Sequence, residues 1–468
     1  MPASAQLNGF IRNMPPVDLE VDLVDIPVKG RLPPQLDGTL LRIGPNPLFP
    51  AAGEHWFAGD GMVHVFHVAG GRVRYQNRWV RTGRWLAERE AGRALRGGLD
   101  DADAGDGLAN TNIVRHGGRL LALEEAHLPV ALRLDGLATL GSVDFDGGRA
   151  GPVAGPFTAH PKIDPVTGQL LFFGYGTPDW LGAGMRFGVL DAAGRVERFD
   201  AFEAPYASMV HDFAATANHV IFPVQPLTAS RARMRAGGPA FAWEAERACA
   251  LGVLRRDAPV GSIAWWSLPA CFAYHVMNAW EDGRCIRIDV MQANAPALFP
   301  LPDGSPVPDA GGSRLSRWTL DLDDRRHEAR SELLCEVRGD FPRIDERRSG
   351  LAYRHGWFVG HTPGGQAGDA APFSRIVHID HARPFAPDVY ALAEGDACSE
   401  AVFVPRTPDA AEGDGWLLAV AYRGATGRSD LLVFDAGDVG TGPLATASLP
   451  LRVPNGFHGN WVPSSLGA

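Results

Sequence analysis

Residues 449–468 read LPLRVPNGFHGNWVPSSLGA, in which a hydrophobic stretch runs into a glycine-rich turn that holds one histidine, His458. An imidazole can titrate near neutral pH and can bind a metal ion, but a lone histidine is more often a hydrogen-bonded structural residue. The turn becomes informative if the chain folds as a ring of small sheets. A histidine late in the chain can then complete a site that was begun about three hundred residues earlier.

Short hydrophobic runs separated by turn residues occur along the whole chain, and 56 glycines and 37 prolines are spread between them. Such runs, rich in aliphatic and β-branched residues, are typical of strands. Helical periodicity is scarce, and 85–98 is the best short helix candidate. The pattern predicts an all-β protein and favours a β-propeller, although paired sandwiches or barrels fit the periodicity as well. The predicted strands include RLLALEE, QLLFFGYG, HVIFPVQ, RCIRIDVM, SRLSRWTLDL, GWLLAVAYR and SDLLVFD.

Composition excludes several classes of function. The 468 residues carry a net charge of −10, which offers no basic surface to a phosphate backbone, so nucleic acid is not an expected partner. The N-terminus lacks the features of a secretory signal and no run of about 18 apolar residues is present, which predicts a cytoplasmic protein. The five cysteines form no C-x-x-C pair and predict buried or incidental thiols.

Four histidines lie where a hydrophobic or small-residue stretch meets a turn: His160, His211, His275 and His458. The gaps between them are 51 (160 to 211), 64 (211 to 275) and 183 (275 to 458) residues, unlike the i, i+4 spacing of a helix-borne zinc site. In a propeller such steps bring one residue from each of several blades to the central axis. The spacing therefore predicts a metal site of four imidazoles, a ligand set that suits Zn, Cu, Fe and Ni alike.

Many stretches in order resemble the carotenoid cleavage oxygenase family, which includes bacterial stilbene-cleaving dioxygenases. Each stretch alone is weak, and their joint presence over nearly the whole chain carries the resemblance. They are GTLLRIGPNP (38–47), HWFAGDGMVHVF (55–66), ANTN (109–112), LLALEEAHLP (120–129), TAHPKIDP (158–165), MVHDFA (209–214), YHVMNAWED (274–282), DFPRIDERRSGLAYRHG (340–356), SEAVFVPR (399–406), EGDGWLL (412–418) and GFHGNWVP (456–463).

The resemblance implies one seven-bladed propeller domain spanning 1–468, capped by loops and short helices, with one non-haem Fe(II) on its axis. The ligands implied are His160, His211, His275 and His458. The family also has three carboxylates that hydrogen-bond ligand imidazoles, and such a partner fixes the tautomer of the ring. Two match Glu125 and Glu400; the third is commonly glutamate and is Asp340 here, so a shorter reach to its histidine is expected.

The activity implied is cleavage of one C=C bond by dioxygen to give two carbonyl products. No nicotinamide or flavin is required, and no G-x-G-x-x-G or P-loop motif was found. Thr111 matches a threonine whose methyl group crowds one open iron position, and Phe57 matches an aromatic that lines the substrate tunnel. Tyr274 replaces a usual phenylalanine and either contacts an oxygenated end of the substrate or rests against a backbone carbonyl.

Substrate preference follows from two departures from the stilbene-cleaving branch. That branch carries a lysine and a tyrosine which bind the substrate phenol, at positions occupied here by Glu124 and Trp79. A carboxylate cannot donate to a phenolate, so a carotenoid or apocarotenoid is favoured over a stilbene or phenylpropenoid. A third hypothesis is that the protein is a propeller that binds apocarotenoids without catalysing a reaction. Residues 227–248 mix arginines with apolar side chains and form either a peripheral membrane contact or a solvated loop.

Overall fold

Antiparallel strands follow one another along almost the whole chain, as the turn-rich sequence predicts. The structure, a computed structural model, describes residues 13–50, 55–95, 107–145, 148, 151–308, 310–362 and 372–466. Its strands pair in successive antiparallel groups, which we call blades and number from 1 to 7.

The first four blades each have four or five strands, and a separate pair of strands lies within the fourth. Blade 1 contains β1 (Asp22–Leu23), β3 (Gly38–Pro45), β4 (Gly61–Ala69), β5 (Arg72–Trp79) and β32 (Gly459–Pro463). Blade 2 contains β6 (Asn112–His116), β7 (Arg119–Leu123), β8 (Val130–Leu132) and β9 (Thr139–Ser142). Blade 3 contains β10 (Lys162–Ile163), β11 (Leu170–Tyr175), β12 (Gly184–Leu190) and β13 (Val196–Glu203). Blade 4 contains β14 (Ala214–Ala215), β15 (His219–Val224), β18 (Cys249–Arg255) and β19 (Ala264–Leu268), and the separate pair is β16 (Leu227–Ala229) with β17 (Phe241–Trp243).

Blades 5 and 6 form one continuous seven-stranded sheet because they share the long strand β23. The first part of β23 pairs with β22 and the last part pairs with β24. Blade 5 contains β20 (Phe272–Asp282), β21 (Cys285–Ala293), β22 (Arg314–Asp321) and β23 (Arg330–Ile344), and blade 6 continues with β24 (His355–His361), β25 (Phe373–Asp380) and β26 (Asp388–Ala391). Blade 7 contains β27 (Ala397–Cys398), β28 (Val402–Pro405), β29 (Gly415–Arg423), β30 (Arg428–Asp435), β31 (Ala445–Ser448) and the early strand β2 (Val28–Gly30).

Seven hydrophobic clusters each join two neighbouring blades, and together they close a ring. A sheet with apolar side chains on both faces must be covered on both, and the next blade on each side provides that cover. The clusters thus arrange the blades radially, as a propeller does. One pair per interface illustrates them, from blades 1 and 2 round to 7 and 1: Val63 and Ile113, Leu121 and Phe172, Phe173 and Phe222, Leu251 and Ile288, Met291 and Phe358, Trp357 and Phe434, Trp416 and Phe66.

Strands from opposite ends of the chain complete blades 1 and 7. β32 pairs with β3, where Leu41 lies opposite Asn460. β2 pairs with β31, where Lys29 lies opposite Thr446. The turn that carries His458 therefore leads into the innermost strand of blade 1, as the sequence predicts for a ring that closes on itself.

Helices are short and few in the described residues. The first, α1 (Gly83–Ala91), begins where the Thr82 hydroxyl accepts from the Trp85 amide and ends before Gly92, whose φ is 66°. The prediction of a helix over 85–98 is wrong in its bounds, and 96–98 lie outside the described residues. The second helix is α2 (Arg231–Arg235), and short 3-10 turns occupy Trp56–Ala58, Val260–Ser262, Glu346–Arg348, Val439–Thr441 and Ser464–Leu466.

A cap covers one end of the ring. Its hydrophobic cluster includes Met209, Leu227, Trp243 and Phe272, with Phe241 packed against it. The segment 227–248, read as a membrane contact or a solvated loop, forms β16, α2 and β17, and its Trp243 is buried. Among the described residues, no helix is both long and apolar enough to cross a lipid bilayer. All five cysteines are free thiols, four of them buried.

Candidate metal centre

The four predicted histidines meet inside the ring. His160, His211 and His458 lie one to three residues before the innermost strands of blades 3, 4 and 1, and His275 lies within that of blade 5. The His160 ring centroid is 4.5 Å from that of His211, 5.1 Å from that of His275 and 4.6 Å from that of His458. One histidine per blade converges, as the spacing predicts.

Ring nitrogens of the cluster face a common point. The Nε2 atoms of His160 and His211 are 3.0 Å apart, and one ring nitrogen from each of His160, His211 and His275 lies within 4.8 Å of the others. Nε2 of His275 is buried and has no hydrogen-bond partner. A buried polar atom without a partner is costly, and a metal ion would satisfy it. These three residues can therefore hold a metal ion, with His458 next to them.

Carboxylates from the three remaining blades are hydrogen-bonded to the Nδ1 atoms of three of the imidazole rings. Glu125 comes from blade 2, Asp340 from blade 6 and Glu400 from blade 7. Asp340 contacts its histidine directly, so its shorter arm is no obstacle. The Nδ1 to oxygen distances are 2.6 Å for His211 and Glu125, 2.7 Å for His275 and Asp340, and 2.9 Å for His458 and Glu400.

Two β-bulges aim one of these pairs. In β20, Tyr274 and His275 fall where the pairing with β21 shifts register. In β23, Phe341 and Pro342 fall at a similar shift against β24, and Phe341 has a φ of 56°. A bulge re-aims side chains, and a bulky residue with positive φ is a strained conformation that tends to occur at functional sites. The Phe341 ring centroid lies 5.2 Å from that of His275.

Electrostatics of the buried rings differ with their partners. Burial, reinforced by the neighbouring histidines, lowers the pKa of His160 well below its usual range. Burial also lowers the pKa of His458, against the opposing effect of its carboxylate partner. For His211 burial acts in the same direction, but the Glu125 carboxylate outweighs it and the net pKa is raised. The neutral form, which binds metals, is thus strongly favoured at His160.

Glu400 is the most completely satisfied of the three carboxylates. Besides His458, it accepts from the Gly459 amide at 2.9 Å and pairs with the Arg343 guanidinium at 3.1 Å. Although burial opposes ionisation, Arg343 and His458 lower the pKa of Glu400 to about 2. Arg343 also donates to the Gly459 carbonyl and to Asn460 Oδ1, so it ties blade 6 to blades 7 and 1.

Several contributors were not predicted from the sequence. The Tyr175 hydroxyl donates to Glu125 at 2.7 Å, Arg343 holds Glu400, and Asp212 follows His211 directly. The only sequence signal for the last two was their place inside the quoted stretches DFPRID and MVHDFA. Their contacts join blades that are far apart in sequence, so local patterns do not reveal them.

An apolar cavity, which we call the cap-side cavity, opens onto the cluster from the cap. Its empty space is about 1450 Å³, including the mouth open to solvent. Aromatic and aliphatic side chains form most of its wall, and the polar exceptions include Glu124, which is hydrogen-bonded to His127 Nδ1. The wall includes Trp56, Leu108, Tyr175, Trp180, Met209, Phe241, Leu298, Phe299, Phe341, Phe373 and Phe457, together with His211, His275 and His458.

The three predicted pocket residues all line the cap-side cavity. The Thr111 hydroxyl donates to Asn110 Oδ1 at 2.9 Å, and Asn110 in turn donates to the carbonyls of residues 57 and 59. Phe57 packs edge-on against Phe457, with ring centroids 5.5 Å apart. The Tyr274 ring centroid is 5.4 Å from that of His211.

A second cavity, the axial cavity, reaches the cluster from the other side. It has an empty space of about 1440 Å³ including open solvent, and both cavities share His275 and His458. Its wall is far more polar than that of the cap-side cavity and includes Asn112, Arg115, Lys162, Asp212, Asn278, Arg343, Glu346, Glu400 and Asn460.

Comparisons with known proteins identify the family of the chain. Residues 14–463 match the family described as "RPE65: Retinal pigment epithelial membrane protein". The chain is 38% identical to isoeugenol monooxygenase of Pseudomonas nitroreducens, covering 96% of each chain, and 37% identical to lignostilbene-alpha,beta-dioxygenase isozyme III of Sphingomonas paucimobilis, covering 99% and 98%. The crystal structure of Pseudomonas brassicacearum lignostilbene dioxygenase superimposes with a TM-score of 0.91 at 33% identity, covering 99% of each chain. The chain, with its propeller of seven blades and its inward-facing histidines, belongs to the carotenoid cleavage oxygenase family.

Proposed function

We propose that this protein is a dioxygenase dependent on one ferrous ion per chain, which cleaves a C=C bond of an aryl-alkene to give two carbonyl products. The observation that carries the proposal is the cluster of buried imidazoles at the floor of an apolar, aromatic cavity. Such a site places an electron-rich apolar substrate directly beside a metal ion. The aryl-alkene is a phenylpropenoid or a stilbene.

The metal would be held by His160, His211, His275 and His458. Two observations support this assignment. The buried Nε2 atom of His275 has no hydrogen-bond partner, and the Nε2 atoms of His160 and His211 are 3.0 Å apart. Imidazole also suits other transition metals, so the choice of iron rests on the family. When bound, the ferrous ion supplies activation of dioxygen, whose two oxygen atoms end in the two products.

The three carboxylates Glu125, Asp340 and Glu400 fix the tautomer and the orientation of their imidazole partners. Each accepts the proton on Nδ1, which leaves Nε2 free and pointing inward. Since four neutral imidazoles leave the dipositive charge of the ion uncompensated, the nearby negative charges of Glu125, Asp340 and Glu400 also balance it. The Thr111 side chain at the cavity floor would restrict the space open to dioxygen.

Aromatic walls bind and orient the alkene. Phe57, Phe341 and Phe457 lie on the same wall of rings and exclude water from the floor of the cavity. Exclusion of water would also limit side reactions at the reacting C=C bond. The chain's own role is therefore to align a C=C bond with the metal and to keep the surroundings dry.

Glu124 supports a hydroxylated substrate. It is buried in a wall made mostly of apolar side chains, where its carboxylate is hydrogen-bonded to His127. A carboxylate accepts hydrogen bonds, so it suits a neutral phenol hydroxyl and disfavours a phenolate. The two relatives are named for isoeugenol and lignostilbene, and together with Glu124 they move our preference from the polyene favoured by the sequence to an aryl-alkene.

A carotenoid or apocarotenoid is the second candidate substrate. The size of the cap-side cavity, about 1450 Å³ including its open mouth, and its mainly aromatic and aliphatic wall favour it. Burial of apolar surface contributes roughly 25 cal/mol per Å², so a long polyene would gain much from such a wall.

The test is incubation of iron-loaded protein with isoeugenol, a 4-hydroxystilbene and an apocarotenal, in parallel under ¹⁸O₂ and under argon. We expect two carbonyl products, each carrying one ¹⁸O atom, from an aryl-alkene and only in oxygen. Cleavage of the apocarotenal alone would make the polyene the substrate. An unchanged substrate in every arm would leave a non-catalytic binding protein and end the proposal.

A further inference from the structure

Asp212 lies directly after His211 and is buried, with its side chain 3% exposed. Its Oδ1 accepts from Lys162 Nζ at 2.7 Å and from the Phe213 amide at 2.7 Å. Its Oδ2 accepts from the Val276 amide at 2.8 Å. Both oxygens of a buried carboxylate are thus used, one of them by a cation.

The partners of Asp212 stand next to other histidines of the cluster. Lys162 follows His160 by two residues, and Val276 follows His275 by one. Lys162 belongs to blade 3 and Val276 to blade 5, whereas Asp212 lies two residues before β14, the innermost strand of blade 4. One carboxylate therefore joins three blades beside three of the inward-facing rings.

The link through Lys162 has a particular importance for His160. Among the described contacts, His160 is the one member of the cluster whose ring has no carboxylate partner. The backbone just after His160 is instead held by the Lys162–Asp212 ion pair, which is largely shielded from water. Charge-assisted hydrogen bonds of this kind are shorter and stronger than neutral ones, so they fix the spacing of the two blades.

We infer that Asp212 is a positioning residue of the metal centre, one that sets the separation of His160, His211 and His275. The inference rests on the proposed function, because it assumes that these histidines bind a metal. Asp212 lines the axial cavity and not the cap-side cavity, so it acts through the histidines and not on the substrate.

Cobalt(II) is the probe, since its visible absorption reports both binding and coordination geometry without any turnover. Metal-free full-length protein is titrated with cobalt(II) for the unsubstituted chain and for Asp212→Asn. We expect Asp212→Asn to weaken cobalt binding by ~10–100-fold, the usual range for loss of a group that orients ligands, and to shift the visible bands.

Asp289→Asn is the matched control. Asp289 is equally buried, accepts from the Arg317 guanidinium at 2.7 Å and from the Tyr353 hydroxyl at 2.7 Å, and lines neither cavity. We expect this variant to melt at a lower temperature and to bind cobalt as the unsubstituted chain does. Equal losses of affinity in both variants would mean a general effect of instability and would overturn the inference.

Lys162→Met removes the same link from its other end and keeps the two amide donors to Asp212. A smaller loss of cobalt affinity than in Asp212→Asn is expected, and this variant serves if Asp212→Asn fails to fold. Tight, spectrally unchanged cobalt binding by both variants would refute the role of Asp212 while leaving the proposed function intact. Failure of the unsubstituted chain to bind cobalt or iron would instead refute the proposed function, and the inference with it.

Discussion

The two cavities that meet at the histidine cluster differ in chemistry although they share His275 and His458. The cap-side cavity presents rings such as Phe57, whereas the axial cavity presents ion pairs such as the one between Lys162 and Asp212. The two carboxylates Glu125 and Asp340 border the cap-side cavity, whereas Glu400 and Asp212 border, of these two cavities, only the axial one. We therefore expect substitutions of the cap-side aromatic rings to leave metal binding unchanged, and substitutions of Glu400 or Asp212 to leave substrate binding unchanged.

The largest effect is expected where the two sides meet. His275→Ala removes an imidazole that belongs to both cavities and leaves Asp340 without its partner, so we expect loss of metal binding and of activity. Metal content after purification and product formation are the measurements. His219→Ala is the control because His219 bonds Glu281 outside both cavities. If His275→Ala kept its iron and its activity, His275 would not be the ligand at which the two cavities meet.

A large effect confined to the metal is expected on the axial side. Glu400→Gln replaces a carboxylate whose pKa is about 2 and which accepts from His458, so cobalt affinity should fall by ~10–100-fold. Glu281→Gln is a close control, because Glu281 also has a pKa of about 2 and accepts from a histidine Nδ1, that of His219. Equal cobalt affinities in Glu400→Gln and Glu281→Gln would show that Glu400 has no special role in metal binding.

A smaller effect, confined to the substrate, is expected on the cap side. Phe57→Leu loses edge-on contact with Phe457, and aromatic pairs of this kind contribute about 0.5–1.5 kcal/mol beyond area burial, or about 2–10-fold in KM. Cobalt affinity should not change. Phe403→Leu, which lies in the core between blades 6 and 7, is the control and should leave KM unaltered. A fall in cobalt affinity in Phe57→Leu would show that the aromatic rings of the cap-side cavity also affect metal binding.

No effect on the site, but a change in acid stability, is expected outside both cavities. Burial, with the neighbouring His355, lowers the pKa of His378 from 6.5 to about 4. The unfolded chain therefore binds a proton near pH 6.5 that the folded chain refuses until about pH 4, and stability falls as the pH drops through that window.

His378→Phe keeps an aromatic ring against Trp357, on which His378 stacks, and removes this loss. We expect its stability to fall less than that of the unsubstituted chain between pH 6.5 and pH 4, by on the order of 3 kcal/mol. Denaturant titrations at both pH values measure the difference. Parallel curves would show that His378 does not contribute, and altered cobalt affinity would show that the site is not independent of it.

Much of the candidate site could be predicted because its histidines lie in recognisable local stretches. The turn NGFHGN around His458 and the spacing of the other three indicate convergence on an axis, and the carboxylates Glu125 and Glu400 follow from the family. The reach of Asp340 was not predictable, since the bulge at Phe341 depends on pairing with a strand of the next blade. Roles for Asp212 and Arg343 likewise exist only in contacts between blades.

The fold, like the site, could be predicted only in part from the sequence. Hydrophobic runs such as GWLLAVAYR coincide with strands, here β29, because their side chains are buried on both faces. The sharing of β23 between two blades has no local signature. The helix ends do have one, because Thr82 and Gly92 are ordinary cap residues, but the predicted bounds of 85–98 did not use it. The substrate is harder still, because it depends on the shape of a wall assembled from many blades.

The pairing of β3 with β32 has a consequence for how the protein is made. During translation, β3 emerges with an unpaired edge and keeps it until residues 459–463 have left the ribosome. Contacts between residues so distant in sequence slow folding, and exposed strand edges promote aggregation. The nascent chain therefore keeps this edge open until β32 arrives, and His458, which directly precedes β32, can join the other three histidines only at that point.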